Sequence, residues 1–493
     1  MMQHLPVLQV LAPLMAAPFA ALLRWRDMAW GLAMLATGAA FLISLTLFVQ
    51  VSANGTIVYD LGGWPAPIGI VYVIDAANAV VLPVISFIGF IATLAARHLV
   101  AREIDRRDHA LFYTAWLLTL AGMLGQVTTG DAFNIFVFLE ISSLSAYALV
   151  AMGAGRDRRA LPAAFNYLIL GTVGATFYVI GIGLLYMQTG TLNLADLANR
   201  VPQLGATLPA YTALAFIALG LFLKMALFPL HFWLVPAYGY APSAVSALMA
   251  ATATKVSVYV LIRLIFGVFG ADFPSLAEGF GMLVITLGLV GAFVGTLAAI
   301  VETDLKKLFA QSSIAQLGYM AIGIGLVTAS GLTAAIIHLF NHALMKGALF
   351  LAIGVIAAQA GRTTMGTIQG AGRQIPMTMT AVLFGGLALI GVPLTAGFIS
   401  KLYLIRALIE VDFWLIAALV FISSALALAY IWKIVEAAWL SERPQGAPVL
   451  TESIGTWLPA WLLVLATLGF GVFAAPLVEA SMAAADIFFG GRP

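Results

Sequence analysis

The chain is 493 residues long, 62% hydrophobic and only 9% charged, with no cysteine and a net charge of +2. That composition excludes a soluble globular domain and fits an all-α polytopic membrane protein, since apolar runs of about 20 residues cross a hydrocarbon core of roughly 30 Å and are too long for barrel strands. Without cysteine there are no disulfides, thiolate metal sites or iron–sulfur ligands, and the small net charge gives no reason to invoke nucleic acid.

Hydropathy predicts fourteen spans: 5–23, 28–51, 77–97, 110–127, 131–152, 161–187, 209–238, 241–267, 275–301, 307–328, 330–359, 377–409, 412–440 and 453–482. The first lacks a basic leader and a small-residue cleavage site, so it reads as a span and not as a signal sequence. Between spans two and three, residues 52–76 carry β-formers around Gly62-Gly63-Trp64-Pro65 and read as a surface hairpin. Residues 192–204 read as an amphipathic surface helix. Span seven contains Lys224, then Pro229, Pro236 and Gly239. Span twelve contains Gly391, Pro393 and Gly397, then Lys401. Proline removes a helix hydrogen bond, and the freed carbonyl is tolerated in a membrane only where protein or water satisfies it.

Two broken helices five spans apart predict two five-helix repeats, the second inverted because five is odd. The division is 1–109 (spans one to three), 110–267 (first repeat, spans four to eight), 268–440 (second repeat, spans nine to thirteen) and 441–493 (span fourteen). The odd-to-even connections, from Arg24 and Arg26 through to Arg443, hold fourteen basic residues. The opposite side holds four: Arg200, Arg263, Arg406 and Arg492. The asymmetry puts the first set in the cytoplasm and both termini outside.

The lysines are distributed unlike the arginines. Five of seven lysines fall inside predicted spans, while all sixteen arginines fall in loops or near helix ends. A charge near the bilayer centre is costly, and lysine, unlike arginine, can release its proton there. Glu140 is the acid deep inside a span and the natural partner of Lys224, which sits beside the first break. Lys255 lies near the middle of span eight, where Thr252, Thr254 and Ser257 could hold water. His338, His342 and Lys346 fall at i, i+4 and i+8 on span eleven, a stripe about 12 Å long that suits a proton wire and lacks a third ligand for a metal. Lys401 follows the second break, with no counter-charge in its own half-helix, so its partner must come from elsewhere in the chain, from water or from a neighbouring subunit. Lys433 reads as an interface residue paired locally with Glu436. His231 could be a path residue or a hydrogen bonder at the break.

These residues resemble the antiporter-like proton-channel subunits shared by respiratory complex I and the Mrp-type multisubunit monovalent cation/proton antiporters. Gly62-Gly63-Trp64-Pro65-Ala66-Pro67, the segment 133–140 and Asn341-His342-Ala343-Leu344-Met345-Lys346 look most like the D-type branch of the Mrp subunits, and lysine at position 401 agrees with it. The resemblance implies an ion pair of Glu140 with Lys224 that gates proton access and Lys255 as central carrier. It implies a relay through His338, His342 and Lys346, and release from Lys401. It implies a secondary-transporter subunit, not an enzyme, with no redox cofactor of its own. The subunit would lie in a bacterial cytoplasmic (inner) membrane beside other subunits of a complex that exchanges Na+ or K+ for protons. The alternative is a proton-pumping subunit of a complex I-like NADH:quinone oxidoreductase or membrane-bound hydrogenase. A stand-alone solute transporter would instead cluster its polar groups in one midplane cavity.

Overall fold

The computed structural model describes residues 2–23, 25–205 and 207–490. Arg24 and Arg492, which enter the charge asymmetry above, lie outside the described residues, as does the side chain of Arg26. The chain is helical almost throughout. Among the described residues, twelve helices are long and apolar enough to cross a membrane, or thirteen if the pair Met365–Arg373 and Pro376–Ile390, bent by 113°, counts as one span.

The differences from the fourteen predicted spans have local causes. Helix Leu305–Gly325 fills the tenth predicted span with 21 residues, yet it carries Lys306, Lys307, Gln311, Ser312, Ser313 and Gln316 and is outside that apolar set. The twelfth divides into Pro376–Ile390 and Ala396–Glu410, 15 residues each. The fourteenth, expected over 453–482, is two helices: Ile454–Val472 turns at Phe473, and Ala475–Phe489 begins with Pro476 in its first turn. Proline fits there because a first-turn N–H has no helical partner to lose. This last helix packs against Ala76–Glu103 and Ala329–Ala360.

The expected hairpin is present. Ile57–Asp60 pairs antiparallel with Val71–Ile74, and Tyr72 bridges on to Thr129. Its outgoing strand leads to Asp75, which caps helix Ala76–Glu103 in a reciprocal box with Asn78. Asp75 also holds Arg263, with the two N–O distances at 2.6 and 2.8 Å. The hairpin is thereby fastened to the eighth predicted span. Within 192–204, helix Leu194–Arg200 runs into a 3-10 turn, Val201–Leu204.

Several local geometries occur twice along the chain. Asp131 caps helix Ala132–Ala151 through the N–H of Asn134, and Asp304 caps Leu305–Gly325 through that of Lys307. Each aspartate forms an isolated bridge just past the next helix, Asp131 to Asn193 and Asp304 to Thr364. In the helix before each, one glycine allows close backbone approach. A Cβ on Gly122 would lie 2.6 Å from Ser142 N and 2.7 Å from Phe138 O; on Gly295 it would lie 2.6 Å from Ala315 N and 2.8 Å from Gln311 O. Small residues of this kind let helices associate in a membrane, where there is little hydrophobic drive between them.

The two broken helices stop in the same way. After Leu208–Met225, Ala226 takes a left-handed conformation and donates to Leu223 O, while Leu227 donates to Phe222 O. After Pro376–Ile390, Gly391 does the same toward Ala388 O, and Val392 toward Leu387 O. Both are Schellman endings, which satisfy carbonyls that a helix end would leave bare.

Candidate proton path

The first break positions the first pair. Lys224 lies in the last turn of Leu208–Met225, where the helix dipole favours a cation. Its ammonium is 3.6 Å from Glu140 Oε1 and donates to Ser143 Oγ at 2.9 Å and Tyr147 Oη at 3.5 Å. Ser143 and Tyr147 sit one turn apart on the helix that carries Glu140, so one face of that helix supplies all three partners. Trp233 closes the break by donating to Leu223 O at 2.8 Å. A cavity of about 30 Å³ lies between Lys224, Gln126, Ser142 and Ser143 on one side and Ala253 and Ser257 on the other. It has polar walls and room for about one water, and it joins the pair to the helix of Lys255.

Lys255 is fully buried. The eighth span has an irregularity that the sequence does not signal. Ser243–Ala251 and Ala253–Leu264 meet at Thr252, with φ −124° and ψ −52° and neither glycine nor proline at the joint. The Lys255 ammonium donates to Ala250 O, beside that joint, and to Thr254 Oγ1 at 3.2 Å. The threonine expected to hold water is thus a direct acceptor.

His338, His342 and Lys346 share helix Ala329–Ala360, and all three are buried. The imidazoles stand 5.8 Å apart with planes parallel within 1°. His338 Nδ1 shares a hydrogen bond with Ser400 Oγ at 2.8 Å. Neither ring nitrogen of His342, nor Nε2 of His338, has a hydrogen-bond partner among the described residues. Lys346 donates to Phe309 O at 2.6 Å and Ser312 Oγ at 2.5 Å. His342 is the meeting point, within electrostatic reach of Lys255, Lys346 and Lys401.

Lys401 finds its partners elsewhere in the chain, as expected, and not in its own half-helix. Its acceptors are the end of its own broken helix: it donates to Leu389 O at 2.5 Å and Ile390 O at 3.0 Å, and to Ser424 Oγ at 2.6 Å. The side chain reaches back across Gly391 and caps the half-helix before it. An ammonium there is held by partial charges and has no carboxylate partner among the described residues.

Lys433 corrects an expectation. It donates to Ile300 O at 3.2 Å and Glu302 O at 2.8 Å, capping helix Met282–Val301, and does not form the expected pair with Glu436. His231 stacks on Phe228 and Phe232, with ring centroids at 5.4 and 4.8 Å. Sequence reading also missed the hydroxyl partners Ser143, Tyr147, Ser312, Ser400 and Ser424. Serine is common in spans, and only tertiary contact singles these out.

Two charged cavities lie away from Lys224, Lys255, Lys346 and Lys401. One of about 380 Å³ is lined by Glu103, Arg156, Lys306, Lys307 and Arg362, on the side that carries most basic residues. One of about 360 Å³ is lined by Asp75, Asn193 and Arg263.

Comparison with known proteins covers this whole arrangement. The family model described as NADH:quinone oxidoreductase/Mrp antiporter, TM, matches residues 129–427, a stretch that includes all seven residues from Glu140 to Lys401. The chain is 39% identical over 491 residues to the N-type subunit of the NADH-quinone oxidoreductase of Desulforudis audaxviator, covering 96% of this chain and 95% of that one. It is 31% identical over 488 residues to the D-type subunit of the Na(+)/H(+) antiporter of Alkalihalophilus pseudofirmus, covering 98% and 97%. Among solved structures, a chain of the membrane-bound sulfane sulfur reductase, an archaeal respiratory membrane complex, superposes with a TM-score of 0.89 at 30% identity over 98% of this chain and 97% of that one. A chain of the Mrp complex from Dietzia sp. DQ12-45-1b does so with a TM-score of 0.88 at 24% identity, covering 99% and 97%.

Proposed function

The chain belongs to the NADH:quinone oxidoreductase/Mrp antiporter transmembrane family, and on that footing we propose that it is the proton-translocating subunit of a multisubunit monovalent cation/proton antiporter. The observation that carries this is the series of buried amines. Lys224 meets Glu140 at 3.6 Å, whereas Lys255, Lys346 and Lys401 donate to carbonyl and hydroxyl oxygens and meet no carboxylate among the described residues. An amine with neutral acceptors can lose its proton without stranding a buried carboxylate.

Protons pass from Lys224 to Lys255, through Lys346, His342 and His338, to Lys401. Glu140 acts as the gate. While it faces Lys224 it favours the protonated amine; drawn away, it removes that support and drives the proton onward. The segments 110–267 and 268–440 form two inverted repeats flanked by 1–109 and 441–493. The paired aspartate caps, glycine approaches and Schellman endings support this division. The subunit sits in a bacterial cytoplasmic membrane with both termini outside. Its partners are the other membrane subunits of the complex, which exports Na+ or K+ against the proton flux, as the naming of the D-type relative suggests.

The test is exchange in vesicles containing the whole complex. Lys224→Ala and Glu140→Ala each lower cation/proton exchange about a hundredfold, a barrier change of about 3 kcal/mol, while the complex still assembles. Wild-type exchange in both variants would sink the path. Loss of the assembled complex would make the pair structural instead.

A second reading has its own support. The 39% identity to the N-type oxidoreductase relative and the close superposition on the sulfane sulfur reductase favour a redox-driven complex in which this chain does the same proton work. Copurification decides: small antiporter subunits favour the first reading, quinone- or hydrogenase-type subunits the second.

A further inference from the structure

Two buried tyrosines stand outside the lysine–histidine series. Tyr319 lies on helix Leu305–Gly325 and Tyr430 on helix Trp414–Val435, each with 1% of its surface exposed. A buried phenol needs a partner for its hydroxyl. Tyr319 donates to Ser423 Oγ at 3.0 Å. Its ring lies edge-on to His338 at 5.9 Å and beneath the Lys401 ammonium at 5.3 Å. Tyr430 is within hydrogen-bonding reach of Ser312, the serine that accepts from Lys346.

The spacing makes a ladder. Ser312 and Tyr319 are seven residues apart on one helix, and Ser423 and Tyr430 are seven apart on the other, so each pair shares a face. One rung is the Tyr319–Ser423 hydrogen bond and the other sets Tyr430 near Ser312, and the two lie about 10 Å apart. Gln316 falls between them on the same face as Ser312. It is 2% exposed, and its Oε1 has no hydrogen-bond partner among the described residues. A buried amide oxygen of this kind is a seat for an ordered water. Ser424, next to Ser423, accepts from Lys401 at 2.6 Å.

We propose that Ser312, Tyr430, Tyr319, Ser423 and Ser424, with water held at Gln316, form a second proton route from Lys346 to Lys401, beside the histidine stripe. It rests on the path described above and adds a branch to it. In one passage Lys346 gives a proton to the first oxygen of the chain. Each hydroxyl or water receives one proton and passes on another, and Lys401 gains the last. Every oxygen ends with the protons it began with, turned about its bond, and rotation resets the chain. No group on this route holds a resident charge. His342, by contrast, lies within electrostatic reach of Lys255, Lys346 and Lys401.

The test again uses the assembled complex in vesicles. Tyr430→Phe and Tyr319→Phe remove only hydroxyls, and each lowers exchange about tenfold. His342→Gln alone leaves a measurable rate, and adding Tyr430→Phe abolishes it. A purely structural tyrosine would not produce that dependence of one substitution on the other. Ser312→Ala gives a second cut in the same chain if either phenylalanine variant fails to assemble. Wild-type exchange in Tyr319→Phe, Tyr430→Phe and Ser312→Ala would overturn the second route, as would complete loss in His342→Gln alone. If Lys224→Ala and Lys346→Ala also exchanged at wild-type rates, the whole path would fall, not this branch.

Discussion

Asp75 and Arg263 are paired with only 7% and 13% of their side chains exposed. Burial pushes the Asp75 carboxyl upward, but Arg263 and the N–H groups of Ala77 and Asn78 outweigh it and hold the group below its ordinary value of 3.8. A carboxyl depressed in the folded state contributes stability that is fully present above its unfolded value and lost as pH falls through the lower folded one. Asp75→Asn leaves the guanidinium largely buried and unpaired, which costs about 3 kcal/mol at neutral pH. The penalty relative to wild type shrinks toward about pH 3, below the unfolded value. Thermal unfolding of both proteins in detergent, followed by tryptophan fluorescence at the two pH values, measures it. An equal gap at both would show that the pair is held by packing and not by charge. The lysines of the path differ from Arg263 in kind: the arginine has a fixed acid and keeps its proton, while Lys255, Lys346 and Lys401 rest on oxygens that accept a hydrogen bond without binding a charge permanently.

The two broken helices end with one geometry and different residues. Position 226 is alanine with φ +59°, and position 391 is glycine with φ +86°. Left-handed backbone costs a residue with a Cβ about 1 kcal/mol more than it costs glycine. Ala226→Gly therefore stabilises the protein by about that amount and leaves exchange unchanged. Gly391→Ala destabilises it, and the added Cβ would lie 3.0 Å from Lys401 Cδ, so it also disturbs the ammonium that caps the break and lowers exchange. Melting temperature and exchange rate, measured on both variants, check the opposite signs. Equal effects at the two positions would mean that the left-handed residue does not set the energy of either ending. These breaks were legible because proline and glycine mark them. The joint at Thr252 was not, since a helix can be interrupted by side-chain competition for a carbonyl without either residue. For the same reason the partner of Lys401 was hidden: a freed main-chain carbonyl leaves no letter in the sequence.

At the scale of the molecule, sequence carried the membrane architecture and the hairpin, and it singled out the seven residues proposed for the path, because charge inside an apolar run is conspicuous. It did not carry how the amines are held, since Lys224 to Ser143 and Lys401 to Ser424 are contacts between different spans. It also missed the turn at Phe473, because Ile454–Val472 and Ala475–Phe489 are both apolar and join with no charged linker. The proposed orientation of the whole rests on basic residues alone, and it is open to direct measurement because the chain has no cysteine. Asn54 ends the second membrane helix beside the hairpin, and Gln445 lies between the helices that end at Leu440 and begin at Ile454; both are exposed. The positive-inside argument places Asn54 outside and Gln445 in the cytoplasm. In intact cells, a membrane-impermeant maleimide labels Asn54→Cys and spares Gln445→Cys. In inverted vesicles the pattern reverses. The opposite result would turn the molecule over, placing the Arg156 and Lys306 cavity outside and the Asp75 cavity in the cytoplasm, and with it would reverse the direction in which Lys224 and Lys401 are met by a proton.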